Sequence, residues 1–250
     1  MGLLDLFKRS REETAPLDLS WLKVDMHSHL IPGIDDGSKT IEESLDLVRR
    51  LVGFGLKKII TTPHIMSEYY RNTPEIIGMG LEDLRKAVKN EGIGVEIEAA
   101  AEYYMDEVFL ERVQAGQKLL TFGDGYILVE TGFINKPQML LDIIFHLEMS
   151  GYKPILAHPE RYQYLIADKK LQEELIERKL LFQVNLLSFT GFYSKQVKEF
   201  GEMLVERDVV ALLGTDCHNS RYLDMLETLP KHKKIYEKIQ SLDLINTRLH

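Results

Sequence analysis

The sequence predicts an α/β protein built from repeated strand–helix units, a parallel sheet or barrel. Three observations carry that expectation. About seven short apolar runs alternate with stretches of helical periodicity, the pattern of βα units. The length of 250 residues suits one large domain of this kind. Reactive side chains stand at the C-terminal ends of six of the seven expected strands, the edge at which a βα barrel places its active site.

Taken in order, residues 1–20 read as an N-terminal arm, with a small apolar patch, a charged run at 9–13 and Pro16 as a breaker; residues 21–250 read as a single domain. The run 21–26 is the first expected strand. It delivers His27 and His29, whose i, i+2 spacing turns both imidazoles to one side. A loop follows at Ile31-Pro32-Gly33-Ile34-Asp35-Asp36-Gly37, marked by its Pro, Gly and paired Asp. Ser38 or Thr40 then caps a helix with Ile41, Leu45, Val48, Leu51 and Val52 on its inner face. Strand 57–62 delivers His64, helix 74–90 turns Ile77, Leu81, Leu84 and Val88 inward, and strand 94–101 leads to Glu102. Helix 106–115, a turn at 123–125 and strand 126–129 lead to Glu130, and helix 137–150 and strand 154–157 lead to His158. Helix 169–178 precedes strand 180–184, and helix 194–207 precedes strand 209–213, which delivers Asp216 and His218. The tail is helical, with Ile235, Ile239 and Leu242 as its apolar side.

Composition narrows the class of function. With 39 acidic against 31 basic residues, the formal charge of −8 disfavours a nucleic-acid or anionic-membrane surface. No run approaches the roughly 18 apolar residues of a membrane span. Cys217 is the single cysteine, so there is no intrachain disulfide, which fits a reducing compartment. The order of charge and apolar residues in the first ten positions is the reverse of a signal peptide, so the expected location is cytoplasmic.

The strand-end set is His27, His29, His64, Glu102, Glu130, His158, Asp216 and His218, with Asp36 from the first loop as a ninth. These are nitrogen and oxygen donors without thiolate, which suits Mn, Fe or Zn and argues against a structural zinc knot. Eight or nine ligands exceed one ion and fit two or three clustered divalent ions, with Glu102 as a bridge. Such clusters activate water for hydrolysis and hold the attacked group in line. Cys217 raises the rival of a cysteine-dependent phosphatase, but Leu223 occupies the place six positions on where that mechanism needs an arginine, so Cys217 reads as packing. Tyr69, Tyr70, Tyr103, Tyr104, Phe189, Phe192 and Tyr193 are candidates for an aromatic wall, with loop 185–195 as its rim.

The segments Asp25-Met26-His27-Ser28-His29, Asp35-Asp36-Gly37, Thr62-Pro63-His64, Glu102, Ala157-His158-Pro159-Glu160-Arg161-Tyr162 and Thr215-Asp216-Cys217-His218 resemble the polymerase-and-histidinol-phosphatase (PHP) superfamily. More narrowly, they look like its bacterial metal-dependent protein-tyrosine phosphatases of capsule and exopolysaccharide loci, over about residues 22–220 and in the same motif order. The resemblance implies a distorted (β/α)7 barrel of the PHP type and a two- or three-metal centre, with Mn ahead of Fe or Zn. It also implies hydrolysis of phosphotyrosine on the C-terminal tail of a cognate tyrosine kinase, by a metal-activated hydroxide. Arg161, three residues after His158, is expected to clamp the phosphate, since a planar guanidinium binds phosphate oxygens bidentately. Arg221 is a second candidate clamp, although it follows Asp216 and His218 more closely than the corresponding arginine of the family does. Asp216 and His218 are expected in catalysis as well as in ligation; the leaving-group acid is left between His218 and a metal-bound water. The arm is longer than in the relatives. Two rivals stand beside this reading: a small-molecule phosphomonoesterase of the histidinol-phosphatase kind, and a non-catalytic module that binds a kinase tail. Homo-oligomerisation is left open.

Overall fold

Seven strand positions follow one another round the molecule, two of them broken in the middle. The computed structural model describes residues 15–249. Strand β1 (Val24–Asp25) pairs in parallel with β2 (Lys58–Thr61), and β2 with β4 (Glu96–Ala99). A second parallel sheet runs through β3 (His64–Ile65), β5 (Glu102–Tyr104), β6 (Tyr126–Glu130), β7 (Lys153–Ala157), β8 (Leu181–Asn185) and β9 (Val210–Gly214). Only Thr62-Pro63 separates β2 from β3, and only Ala100-Ala101 separates β4 from β5. Pro63 has no N–H for the ladder, which interrupts the strand there. Ala100 N still donates to the Thr61 carbonyl (2.9 Å) and Glu102 N to that of Pro63 (3.1 Å), so the ladder crosses both breaks.

The first and last positions also meet. Asp216 N donates to the His27 carbonyl (2.8 Å), and His29 N to that of Cys217 (2.9 Å), with Ser28 and Cys217 in a parallel bridge. Asn246, fully buried, spans the same seam: its Nδ2 donates to the carbonyls of Val24 (3.0 Å) and Leu213 (2.7 Å), and its Oδ1 accepts from Leu213 N (3.0 Å). This is the distorted (β/α)7 barrel, with the last pairing made by a short bridge in place of a ladder.

The helices lie between strands: α1 (Ile41–Gly53), α2 (Pro74–Asn90), α3 (Glu107–Gln114), α4 (Leu140–Met149), α5 (Gln163–Ala167), α6 (Lys169–Glu177), α7 (Lys195–Glu206), α8 (Ser220–Leu226) and α9 (Lys233–Gln240). Side-chain caps start five of them, from Thr40, Thr73, Asp106, Asp168 and Ser194, each accepting from a backbone N–H of the first turn. The interior forms two layers. A small cluster takes alternate residues from the strands, among them Val24, Ile60, Leu128, Ile155 and Leu212. A larger one fills the space between the strands and the inner helix faces. Along the strands the alternation that buries Ile60, Ala100, Leu128 and Leu212 continues, two or four residues on, to His64, Glu102, Glu130 and Asp216.

The structure shortens several expected elements. A turn in which Leu22 N donates to Leu19 O (2.9 Å), followed by Lys23 at φ 65°, leaves only Val24–Asp25 of the first run extended. Thr40 caps α1, while Ser38 hydrogen-bonds Ser44. Helix α5 is not marked in the sequence, because five residues are too few to show a period. Leu17 and Leu19, assigned to the arm, are buried, and Leu19 N donates to Phe54 O (2.6 Å), so the packed chain begins before Trp21. Residues 1–14 of that arm lie outside the described residues.

The seam makes Asn246→Ala a test of closure. Three hydrogen bonds are lost and buried carbonyls are left unpaired, a cost of about 2–4 kcal/mol. The expected result is a lower urea midpoint with an unchanged denaturant slope.

Candidate metal centre

All nine expected ligands converge at the C-terminal ends of the strands. They form four overlapping groups, each with ligand atoms within 4.8 Å of one another: His29, Asp36, His64 and His218; His27, His29 and Asp216; His27, Glu102 and His158; His64, Glu102 and Glu130. Shared members make these one continuous cluster. Eight of the nine are buried; Asp36, whose side chain is 51% exposed, stands at the mouth.

Glu102 is at the centre. Its Oε2 lies 3.1 Å from His27 Nε2, 3.4 Å from His29 Nε2 and 3.3 Å from His64 Nδ1, and its Oε1 lies 3.0 Å from His158 Nε2. Asp216 divides its oxygens between two tasks. Oδ1 faces His27, His29 and His218 at 3.4–3.5 Å, while Oδ2 accepts from Asn185 Nδ2 (2.7 Å) and Arg161 Nη1 (3.0 Å).

An outer set of hydrogen bonds aims the imidazoles. His29 Nδ1 donates to Asp35 Oδ2 (2.7 Å), His27 Nδ1 to Gln183 Oε1 (2.8 Å) and His218 Nδ1 to the Asp216 carbonyl (2.8 Å). With Nδ1 donating outward, it is Nε2 that each ring turns toward the cluster, the orientation of a metal-ligating histidine. From His27 the chain of bonds continues through Gln183 Nε2 to Asn185 Oδ1 (2.9 Å) and on to Asp216. Asp35, Gln183 and Asn185 were not among the expected site residues. The strand that bears the two amides was the one thought to end without a reactive group; the signal was there in Gln183 and Asn185, polar residues at alternate positions of an apolar strand.

The backbone bends to the same end. His158 (φ 33°) and Asp216 (φ 50°) both adopt left-handed conformations that cost a non-glycine residue on the order of 1 kcal/mol or more. Gly37 packs against His29 so closely that a Cβ would overlap its carbonyl oxygen and Cβ. A Cβ on Gly214 would lie 2.7 Å from that of His27. Two glycines therefore give the first two histidines their room.

Burial disfavours charge throughout the cluster, and the ligands counter it in each other. For His29, the nearby Asp35, Asp216 and Glu102 overcome burial and hold its pKa well above the usual imidazole range; Glu130 and Glu102 do the same for His64. Burial likewise opposes ionised Glu102 and Asp216, yet the facing imidazoles, and Arg161 for Asp216, keep both carboxyls well below the usual range. The donors fit divalent ions. His64 Nδ1 and Glu102 Oε1 are buried with no hydrogen-bond partner, although His64 Nδ1 is 2.8 Å from Glu130 Oε1 and Glu102 Oε1 is 3.0 Å from His158 Nε2. Nitrogen and oxygen atoms that crowd together in a buried site without hydrogen-bond geometry are what a cation's ligands present.

The cluster forms one side of a cavity of about 240 Å³. Arg161 lines it, stacked between Phe133 and Tyr193, with its guanidinium carbon 4.4 Å and 4.3 Å from their ring centres. Arg221 does not line it: it is exposed and lies over Phe192 at 5.5 Å. One residue, about 100° of helical rotation, separates it from the position that faces the cavity, which Tyr222 takes. Of the expected aromatic wall, Tyr70 and Tyr104 line the cavity, Tyr103 and Phe189 are core, and Tyr69 is exposed. Phe133 and Tyr222 complete the wall. Cys217 is buried, and burial, with Asp25 and Asp216 near, pushes its thiol well above the usual range, the opposite of what a nucleophilic thiolate needs.

A parallel α/β ring whose strand ends carry overlapping His, Asp and Glu groups able to hold metal defines a metal-centred enzyme scaffold of the barrel type. The chain belongs to the CpsB/CapC family of capsular polysaccharide synthesis, whose model matches residues 23–246. It is 31% identical to the tyrosine-protein phosphatase YwqE of Bacillus subtilis over 198 residues, 78% of this chain and 77% of that one. With the tyrosine-protein phosphatase CpsB of Streptococcus pneumoniae it shares 28% identity over 202 residues, 78% of this chain and 83% of that one. A solved structure described as YwqE from Bacillus subtilis and CpsB from Streptococcus pneumoniae, "unique metal-dependent tyrosine phosphatases", matches with TM-score 0.78 and 27% identity over 90% of both chains.

Two outcomes follow from the geometry. Gly37→Ala displaces His29, and isothermal titration with Mn should show weaker metal uptake while the far-ultraviolet circular dichroism is kept. Stripping metal with a chelator should lower the melting temperature by about 5–10 °C, the size expected when ions at about a hundred times their dissociation constant are removed from a domain of this length.

Proposed function

We propose that the chain is a metal-dependent protein-tyrosine phosphatase that hydrolyses phosphotyrosine on the C-terminal tail of a bacterial tyrosine kinase controlling polysaccharide synthesis or export. The observation that carries this reading is the shared cavity: six of the nine donors (Asp36, His64, Glu130, His158, Asp216 and His218), Arg161 and the rings of Tyr70, Tyr104, Phe133 and Tyr222 all line one space of about 240 Å³, with the other three donors buried behind them. The phosphatases among its relatives support the same reaction.

His27, His29, Asp36, His64, Glu102, Glu130, His158, Asp216 and His218 would hold two or three divalent ions, with Mn favoured over Fe or Zn. Bound there, the ions supply an activated water and draw charge from the phosphoryl oxygens. Arg161 binds the phosphoryl group from beside Asp216. Its Nη1 is held by Asp216 and its plane is fixed between two rings, so the rest of the fork is pre-oriented to meet charge that builds in the transition state. His218 has its Nδ1 proton committed to the Asp216 carbonyl, which suits its Nε2 to ligation and leaves it without a proton to give the leaving group. A tyrosine phenolate, with a pKa of about 10, leaves more easily than an alkoxide and needs less help from an acid. The aromatic walls orient the ring, which favours phosphotyrosine over histidinol phosphate.

The reading is tested with a phosphotyrosine peptide and histidinol phosphate side by side, on chelator-stripped protein refilled with Mn, Fe or Zn. Metal-dependent turnover favouring the peptide is expected; preference for histidinol phosphate would move the substrate to the small-molecule class, and binding of the peptide without turnover under any metal would point to a tail-binding module. Arg161→Ala should lower kcat about 100-fold or more with metal content kept. His158→Ala should lose metal and activity together. Equal metal loss in both variants would remove the phosphate clamp.

A further inference from the structure

Next to the metal cavity the surface sinks into a second cleft of about 260 Å³ that takes no part in metal binding. Its walls are the exit of β3, the loop that carries Arg71 and Asn72, and the first turns of α3. Met66 lines both this cleft and the metal cavity, so one side chain borders the two. Met66 and Tyr104 also join the metal cavity to a hollow of about 510 Å³ above Ser67 and Val108.

The cleft inverts the charge of the chain around it. Arg71 and Arg112 line it, and among the described residues neither has a carboxylate within 4.0 Å. Arg49, Arg85 and Arg207 each hold one, and Arg50 holds two. Arg71 spends only its Nε, on the Ser67 carbonyl (2.9 Å). Asp106, the carboxylate of the cleft, is occupied by its own backbone: Oδ1 accepts from Phe109 N (2.7 Å), and Oδ2 from Ser67 N (3.3 Å) and Oγ (2.6 Å). Between the arginines lies an apolar floor of Ile65, Val108 and Phe109. Two free guanidinium groups beside an apolar floor, in a chain of formal charge −8, mark a place built for an acidic polymer with apolar content.

We propose that this cleft seats an acidic segment of the substrate polypeptide flanking the phosphotyrosine, with its carboxylates on Arg71 and Arg112. The proposal rests on the phosphatase reading and names what selects the substrate beyond the phosphorylated ring. A polypeptide whose phosphotyrosine occupies the metal cavity leaves it past Met66 in extended form and enters the cleft within a few residues. The arginines contribute recognition, not chemistry.

The test compares three phosphotyrosine peptides with Glu, Gln or Lys in the flanks on both sides, with free phosphotyrosine as reference, on Mn-loaded protein. The Glu peptide is expected to exceed the Gln peptide in kcat/KM by about five- to tenfold, the size of two partly exposed ion pairs. In R71A/R112A the ratio should fall to near one, and in R71E/R112E the Lys peptide should become the best. Equal use of Glu and Gln peptides by the unmodified protein would overturn the proposal and leave the phosphatase reading standing. A Glu preference that survives in R71A/R112A would also overturn it, by placing recognition elsewhere. A dimer in solution that the same substitutions dissolve would overturn it in favour of a second copy as occupant. Failure to hydrolyse phosphotyrosine in any form would overturn the phosphatase reading and this proposal with it.

Discussion

The structure depends on one electrostatic arrangement: a buried Glu102 carboxylate met by the imidazoles of His27, His29, His64 and His158. Either kind of group alone would be expelled from such a site, because burial penalises a charge by several kcal/mol unless an opposite charge or a hydrogen bond answers it. Alternation of carboxylates and imidazoles answers it within the cluster, and leaves inward lone pairs that a divalent ion satisfies better than any proton. Such an arrangement must be assembled from far-apart segments at close range, and much of the fold serves that need. Strand ends supply the approach, Gly37 and Gly214 the clearance, and the left-handed turns at His158 and Asp216 the final direction.

Order in the cluster comes from residues that do not face the ions. Asp35 and Gln183 hold protons on the far side of His29 and His27, and Asn185 fixes the second oxygen of Asp216. Glu160, buried beside them, accepts from Asn185 N (3.0 Å) and Ser188 Oγ (2.6 Å), and so ties the turn that carries Arg161 to the end of β8. The strand without a ligand is thus the support of its neighbours. Arg161 joins this system through Asp216, so the guanidinium of the cavity and the imidazoles of the cluster share one carboxylate.

In an acidic chain the charge that matters at a site is local. Divalent ions held by the cluster would bring positive potential to the cavity, Arg161 adds one fixed cation, and Arg71 and Arg112 add two more in the neighbouring cleft. Pairs such as Arg207 with Glu173 and Arg50 with Glu227 join elements at the surface and add little beyond the surface they cover.

The sequence by itself determined the βα order, most helix limits and the nine donors, because these follow from local rules: period, capping, and the position of a polar residue just beyond an apolar strand. Helix Pro74–Asn90 keeps its expected limits because Thr73, Pro74 and the inward face all agree. Tertiary structure alone decided where strands break, how the ring closes and which polar residues stand behind the ligands. The seam at Asn246 joins positions 222 residues apart, and Gln183 meets His27 across 156. It also separated two arginines that looked alike in sequence. Arg161 reaches the cavity because a left-handed turn at His158 folds it back under Phe133, whereas the helical phase of Ser220–Leu226 gives the inward place to Tyr222 and leaves Arg221 in solvent. Direction at a strand end depends on contacts with distant chain, and no local pattern encodes it.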